Sequence, residues 1–373
     1  MERFDVIIVG LGAMGSAAAC HLARRGRSVL GLDRFTPPHA FGSSHGRTRI
    51  IREAYFEHPL YVPLIQRAYE LWAELENHSG RKLLQSTGGL MIGRPDSEVV
   101  TGALHSAREH HLPFKLLSGG EVRLQFPGLH PAEGMVAVWE PRAGILVPEH
   151  CITAHLDWAR QQGAALHFEE PVSGWEAGAG SVRVSSGRGD YEADQLLLCA
   201  GGWINTLLPG RDLPVTVERQ VQFWFEPKDP ALFQPPCCPI HIWEYEPGRH
   251  FYGFPDLGEG VKVAVHHQGE TVSPDSIRRE VAPGEAEAMR AVVQRFLPEA
   301  DGPLRSAVVC MYTNTADHHF FIDRHPDHAR VMIGSPCSGH GFKFSSVIGE
   351  VLADLITRGE SPFDLSLFRD RRC

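Results

Sequence analysis

The chain has 373 residues, 43% of them apolar and 22% charged, which is enough for two domains around two cores and excludes a disordered chain. Its net charge of −9 argues against a nucleic-acid or anionic-membrane partner. The first apolar run is too short for a signal peptide and no stretch is long enough to span a bilayer, so a soluble, cytoplasmic protein is expected.

Phe4 to Val9 is a short apolar, β-branched run, followed at once by Gly10-Leu11-Gly12-Ala13-Met14-Gly15. Ser16 to Arg25 is Ala-rich and helix-prone until Gly26, and Ser28 to Leu32 is a second apolar run ending on Asp33. Strand, glycine turn, helix, strand and acid in this order form a dinucleotide-binding unit. Gly10 permits the tight turn, Gly12 lets a pyrophosphate approach the backbone, and Gly15 lets helix and strand pack closely. The helix N-terminus offers unpaired N–H groups to the phosphates. Asp33, roughly twenty residues on, is placed for an adenosine ribose. The motif does not choose between NAD and FAD, and Arg34 reads as a surface arginine.

Phe35 to Arg52 reads as an irregular loop rich in Pro, Gly, Ser and charge, and such segments usually carry function. Pro59 to Leu75 follows as an amphipathic helix with Leu64, Ala68, Leu71 and Leu75 on one stripe. Strands are expected at Thr87–Gly93, Met135–Trp139, Ala165–Phe168 and Ser181–Val184, and helices at Ala103–His111 and Glu149–Gln162. Gln195–Cys199 is an apolar strand running into Ala200-Gly201-Gly202-Trp203, a turn suited either to return the chain to the nucleotide or simply to close a core strand. Gln220–Phe225, His250–Phe254 and Gly260–Val265 read as strands of a second sheet. A helix at Gly284–Phe296, a strand at Val331–Gly334 and a last helix from about Ser345 to Thr357 complete the chain.

The expected fold class is α/β: a Rossmann-like nucleotide domain with a second, β-rich substrate domain, both discontinuous. The nucleotide domain takes residues 1–80, 142–215 and 310–373, and the substrate domain 81–141 and 216–309. That layout is commoner among FAD oxidoreductases than among NAD dehydrogenases. The eight cysteines, at positions 20, 151, 199, 237, 238, 310, 337 and 373, show no CxxC or zinc spacing, so reduced thiols and no metal site are expected.

The chain resembles the monomeric sarcosine oxidase and N-methyltryptophan oxidase group of FAD-dependent amine oxidases along nearly its whole length. The resemblance rests on the glycine-rich opening, His45-Gly46-Arg47-Thr48-Arg49-Ile50-Ile51-Arg52, Tyr252-Gly253-Phe254-Pro255 leading to Lys262, Cys310-Met311-Tyr312-Thr313, and Ser338-Gly339-His340-Gly341-Phe342-Lys343-Phe344. It implies FAD bonded covalently through Cys310, a residue that by itself reads as a buried structural cysteine. The resemblance places Ser43, His45, Thr48, Val172 and Gly341 at the cofactor with the glycines and Asp33. It makes Arg52 and Lys343 the two cations on a substrate carboxylate, with Tyr252 beside them. Lys262, by itself an outward-facing strand lysine as readily as a buried one, is implied to promote the reaction with O2, since a fixed positive charge stabilises superoxide. Arg49 is implied to lie against the flavin, and His266, Tyr312 and His340 to shape the site. Where the group often has a histidine before His45 and an acid before Thr48, this chain has Ser44 and Arg47.

The implied activity is oxidation of a secondary amino acid, foremost sarcosine, to glycine and formaldehyde, with O2 reduced to H2O2, by a monomeric enzyme. N-methyltryptophan, a pipecolate-type imino acid, and a dehydrogenase using another electron acceptor are the alternatives. Ile242-Trp243-Glu244-Tyr245 falls where the group's pocket wall varies.

Overall fold

A computed structural model describes residues 2–208 and 210–369; Cys373 and the end of the expected first domain lie outside them. Two eight-stranded sheets carry the architecture. The first is built around Glu2–Val9, which pairs in parallel with Val29–Leu32 on one side and Gly189–Leu198 on the other. Val6 to Val9 are buried, as expected of a central parallel strand covered on both faces. Ala165–His167 extends one edge. Gly189–Leu198 divides its pairing: its first half takes the antiparallel hairpin Val182–Ser186 and Val172–Ala177, and Leu196 to Leu198 pair in parallel with His328–Ser335.

The glycine turn leads into the helix Ala13–Arg24, which packs against the helices Pro148–Gln161 and Ser345–Thr357. The last contact is close, because a Cβ on Gly349 would lie 2.6 Å from the Ala17 backbone. The start, middle and end of the chain therefore share one core.

The second sheet runs in the order Leu304–Thr315, Val215–Phe225, Val261–His266, Arg249–Phe254, Ile240–Glu246, Gly89–Gly93, Val136–Glu140 and Lys115–Ser118. One face packs on the helix Pro283–Phe296 through Phe223, Trp243, Phe251, Val261 and Val263. Alternation along each strand turns Ile242, Tyr252, Phe254 and His266 to the other face, toward the first sheet. Trp243 and Tyr245 therefore belong to the core under the helix, and Ile242 alone of that tetrad faces the space between the sheets.

Several expectations need correction. The loop expected over 35–52 contains a strand, Arg49–Ile51, held by Gly144–Leu146, a partner far along the chain. The helix expected to end at Leu75 is Tyr61–Ser79, closed by Gly80 in the left-handed region at φ 66°. The helix expected from Ala103 starts at Glu98, where the Ser97 side chain caps it. Leu304–Thr315 pairs along its length with Val215–Phe225, so the boundaries expected at 215/216 and 309/310 fall inside strands of the second sheet.

Candidate active site

A cavity of about 500 Å³ lies between the two sheets and is lined from Gly10 and Gly12 at one end to Arg52 and Lys343 at the other. At the first end Gly10 has φ 91°, and a Cβ on Gly15 would overlap the Gly10 carbonyl. A Cβ on Gly12 would meet nothing within 4 Å, so this glycine faces open space. The helix Ala13–Arg24 begins there with no side-chain cap among the described residues and no acid in its first turn. Its free N–H groups face the cavity, an arrangement suited to an anion. Asp33 is buried and braces the turn, accepting from Leu11 N at 2.7 Å and Phe35 N at 2.8 Å. Val172 and the turn Ala200–Trp203 line the same end. Arg34 also borders it as an exposed surface arginine, as expected, paired with the exposed Asp275 at 3.1 Å.

Ser43, Thr48 and Arg49 line the middle, while His45, Lys262 and Cys310 are buried behind that lining. The Lys262 ammonium donates to the Gly46 carbonyl at 2.7 Å, the Thr48 carbonyl at 3.1 Å and Thr48 Oγ1 at 3.0 Å. Burial, helped by Arg49, holds it well below the ordinary lysine range, and the three oxygens offset that cost. Arg49 reaches back to the Ser43 carbonyl and lies beside the Cys310 sulfur. Burial, with Arg49 nearby, pushes His45 down to about 3, and its Nε2 has no partner among the described residues.

The far end gathers charge. Arg52 is 1% exposed; its Nη2 donates to both oxygens of Glu57, at 2.8 and 2.6 Å, and its Nη1 to the Ala54 carbonyl. Its Nε is buried without a partner among the described residues. Lys343 Nζ donates to the His340 carbonyl at 2.7 Å and to the Tyr55 hydroxyl at 3.4 Å, and burial beside Arg52 pushes it down to about 7. His340 Nε2 sits 2.9 Å from the His318 carbonyl, which only accepts, so that nitrogen carries the proton and Nδ1 accepts from Tyr55 at 2.6 Å. His266 Nδ1 lies 3.2 Å from the Tyr312 hydroxyl. Burial keeps both imidazoles neutral, His340 at about 3. Charge here is thus carried by Arg52, Lys343 and Glu57. Tyr252, Gly341, Ile242 and Phe254 complete the lining.

The sequence reading overlooked Tyr55, Phe56, Glu57, Gln222 and Thr313. Tyr55, Phe56 and Glu57 follow Arg52 directly, and their nearness in the chain was the available signal. Gln222 and Thr313 stand inside strands, and their facing becomes visible only with the pairing. Gln222 Oε1 and Thr313 Oγ1 are buried and without partners among the described residues, and both residues line the cavity. The described residues contain no group of three or more metal-ligating side chains suited to an ion.

Comparison with known proteins agrees with this geometry. Residues 5–355 match the family described as FAD dependent oxidoreductase. A monomeric sarcosine oxidase of Streptomyces avermitilis is 46% identical, over 99% of this chain and 97% of its own length. An N-methyl-L-tryptophan oxidase of Salmonella typhi is 34% identical, over 98% of each chain. The open form of NikD, an unusual amino acid oxidase essential for nikkomycin biosynthesis, superimposes with a TM-score of 0.86 at 23% identity, covering 99% of this chain and 98% of that one; this likeness concerns the fold.

Proposed function

The chain belongs to the FAD dependent oxidoreductase family, and we propose that within it the protein is an FAD-dependent oxidase of N-methyl amino acids with sarcosine as its substrate. Sarcosine, O2 and water become glycine, formaldehyde and hydrogen peroxide. The observation that carries this reading is the pair of buried cations, Arg52 and Lys343, at one end of a cavity whose other end is a nucleotide-type glycine turn. The 46% identical relative named a sarcosine oxidase supports it.

The residues present fit FAD. Gly12 leaves a cradle that a Cβ would fill, the helix behind it has free N–H groups, and Gln222 Oε1 and Thr313 Oγ1 are unpartnered polar atoms in cavity-lining residues. Gly10, Gly12, Gly15 and Asp33 would hold the adenosine and pyrophosphate, with Val172 beside them; Ser43, His45, Thr48, Arg49 and Gly341 would surround the ring, and Cys310 would bond to it. When bound, FAD supplies the two-electron acceptor for the substrate C–H bond and a route for those electrons to O2.

The protein's own groups then bind and orient. Arg52 offers its unpartnered Nε, and Lys343 its ammonium, to the substrate carboxylate. Neutral His266 and His340, with Tyr252 and Tyr312, border the substrate with hydrogen-bonding groups that add no charge. Lys262, fixed by three oxygens, is a preorganised positive charge for O2 reduction. We assign the first sheet and its helices to the cofactor and the second sheet to the substrate wall. Among the described residues no helix is long and apolar enough to cross a membrane, and we take the enzyme to be a cytoplasmic monomer.

Anaerobic addition of sarcosine to the purified protein tests the reading: the flavin band bleaches and recovers with O2. A flavin that stays oxidised with sarcosine overturns the choice of substrate. Ile242, in place of Trp243 or Tyr245 at the wall, favours a second reading for larger N-methyl amino acids, which a turnover panel including N-methyltryptophan separates.

A further inference from the structure

Behind the carboxylate end stands a buried acid that the proposed reaction does not use. Glu140 ends the strand Val136–Glu140 and is 1% exposed. Its two carboxylate oxygens each accept a backbone N–H from one short stretch: Oε1 from Glu53 at 2.7 Å and Oε2 from Ala54 at 2.8 Å. These are the two residues immediately after Arg52. Arg52 precedes them and Tyr55, Phe56 and Glu57 follow, and the side chains of these four meet at the charged end of the cavity.

We propose that Glu140 is the positioning residue of the carboxylate anchor: by gripping two consecutive backbone N–H groups it fixes where the Arg52 guanidinium and the Tyr55 hydroxyl stand, and so sets affinity for the carboxylate of an amino-acid substrate. The proposal rests on the reading of Arg52 as that anchor.

A two-oxygen grip on two adjacent N–H donors fixes both position and rotation of the segment. Burial pushes Glu140 up to about 7 against the pull of the two backbone donors, so above that pH the grip is that of a charged acceptor, stronger than a neutral one. Burying a carboxylate is costly, and two backbone donors offset that cost only with good geometry. Glu53 does not share the task; its carboxylate lies with Arg142 at 3.1 Å. Arg142 is held in turn by its carbonyl, which accepts from Tyr69 at 2.9 Å. Nothing on Glu140 faces substrate, so its influence passes through the backbone to Arg52.

The test compares holoenzymes carrying Glu140→Gln, Arg52→Met and both. Glu140→Gln keeps the shape but replaces one acceptor by an NH2 group directed at an N–H donor. The measurements are kcat and KM for sarcosine and the dissociation constant of acetate, read from perturbation of the flavin spectrum. Because misplacement of an anchor by about 1 Å costs up to about a hundredfold, Glu140→Gln is expected to raise KM and the acetate constant by about ten- to a hundredfold with kcat little changed. In the Arg52→Met background the same substitution is expected to add much less, since only the Tyr55 part of the placement remains to be lost. An unchanged acetate constant in Glu140→Gln, or an equal further loss in the Arg52→Met background, overturns the inference while leaving the anchor reading intact. If Arg52→Met itself leaves acetate binding unchanged, the anchor reading fails and the inference with it. Should Glu140→Gln give no folded holoenzyme, Glu140→Asp, which keeps the charge and withdraws the oxygens by one methylene, enters the same comparisons with the same expected and overturning results.

Discussion

The Arg49 guanidinium lies 3.7 Å from the Cys310 sulfur, and the same Nη2 donates to the Ser43 carbonyl at 2.6 Å. Cysteine attacks through its sulfur, and Arg49 and the Ser43 carbonyl fix the surroundings of this one. On the proposed attachment through Cys310, Cys310→Ser is expected to leave flavin that separates from acid-precipitated protein, and the wild-type pellet is expected to stay yellow. Arg49→Met is expected to lower the bound fraction. Yellow pellets from Cys310→Ser would place the attachment elsewhere.

Gly12 and Gly15 separate two roles within one turn. The Gly15 position has no room for a Cβ because the Gly10 carbonyl occupies it, while the Gly12 position is open to the cavity. Gly15→Ala is expected to damage the fold itself, and Gly12→Ala to give a folded protein with little flavin. Circular dichroism and flavin content per chain distinguish these outcomes.

Lys262 is surrounded by three oxygen acceptors and, among the described residues, makes no hydrogen bond to the carboxylate end. Lys262→Met is expected to slow flavin reoxidation by O2 by about a hundredfold, the scale for removing one preorganised electrostatic group, and to slow reduction by sarcosine much less. Stopped-flow measurement of the two half-reactions gives the comparison; equal slowing would assign Lys262 to substrate binding or structure.

Lys343 is held at about 7 by burial and by Arg52, with Glu57 opposing. An anion at the site favours the protonated amine, so anion affinity is greatest below about 7 and falls as pH rises through it. Acetate titrations across this range are expected to show that loss in the wild type and to show it flattened in Lys343→Met. An unchanged slope in the variant would assign the loss to another group.

Buried neutral histidines away from the charged end govern acid stability. Burial pushes His21 and His241 down to about 3, whereas an unfolded histidine takes its proton near 6.5. The unfolded chain therefore binds more protons between these values, and stability is lost as pH falls through that window. Each such histidine costs about 1.4 kcal/mol per pH unit there. Chemical denaturation at pH 7 and pH 5 checks the sign, and His241→Gln is expected to flatten the slope.

The nucleotide unit was legible because its signals are local: a β-branched strand, three glycines and an acid within one short stretch. The cation pair was legible only through family resemblance, since Arg52 and Lys343 are far apart in the chain and either alone reads as a surface charge. What stayed hidden depends on long-range pairing. The strand Leu304–Thr315 begins with exposed residues and shows no clean alternation there, and its partner Val215–Phe225 is what makes it a strand. The tetrad Ile242-Trp243-Glu244-Tyr245 carries no local sign of which side chain faces the cavity; register turns Trp243 under the helix Pro283–Phe296 and leaves Ile242 at the wall. Glu140 falls just past the strand expected at Met135–Trp139, and its two N–H partners are in a segment more than eighty residues earlier.

The contact of Gly349 with Ala17 sets an order of events during synthesis. The first helix leaves the ribosome early, yet the surface it packs on, the helix Ser345–Thr357, is among the last segments made, and the strand His328–Ser335 joins the first sheet only shortly before. Contacts of such sequence separation are slow to close. The glycine turn thus emerges first but gains its full support last, so stable uptake of the cofactor is expected to wait for the end of synthesis, and a nascent chain halted before residue 345 is expected to retain no flavin.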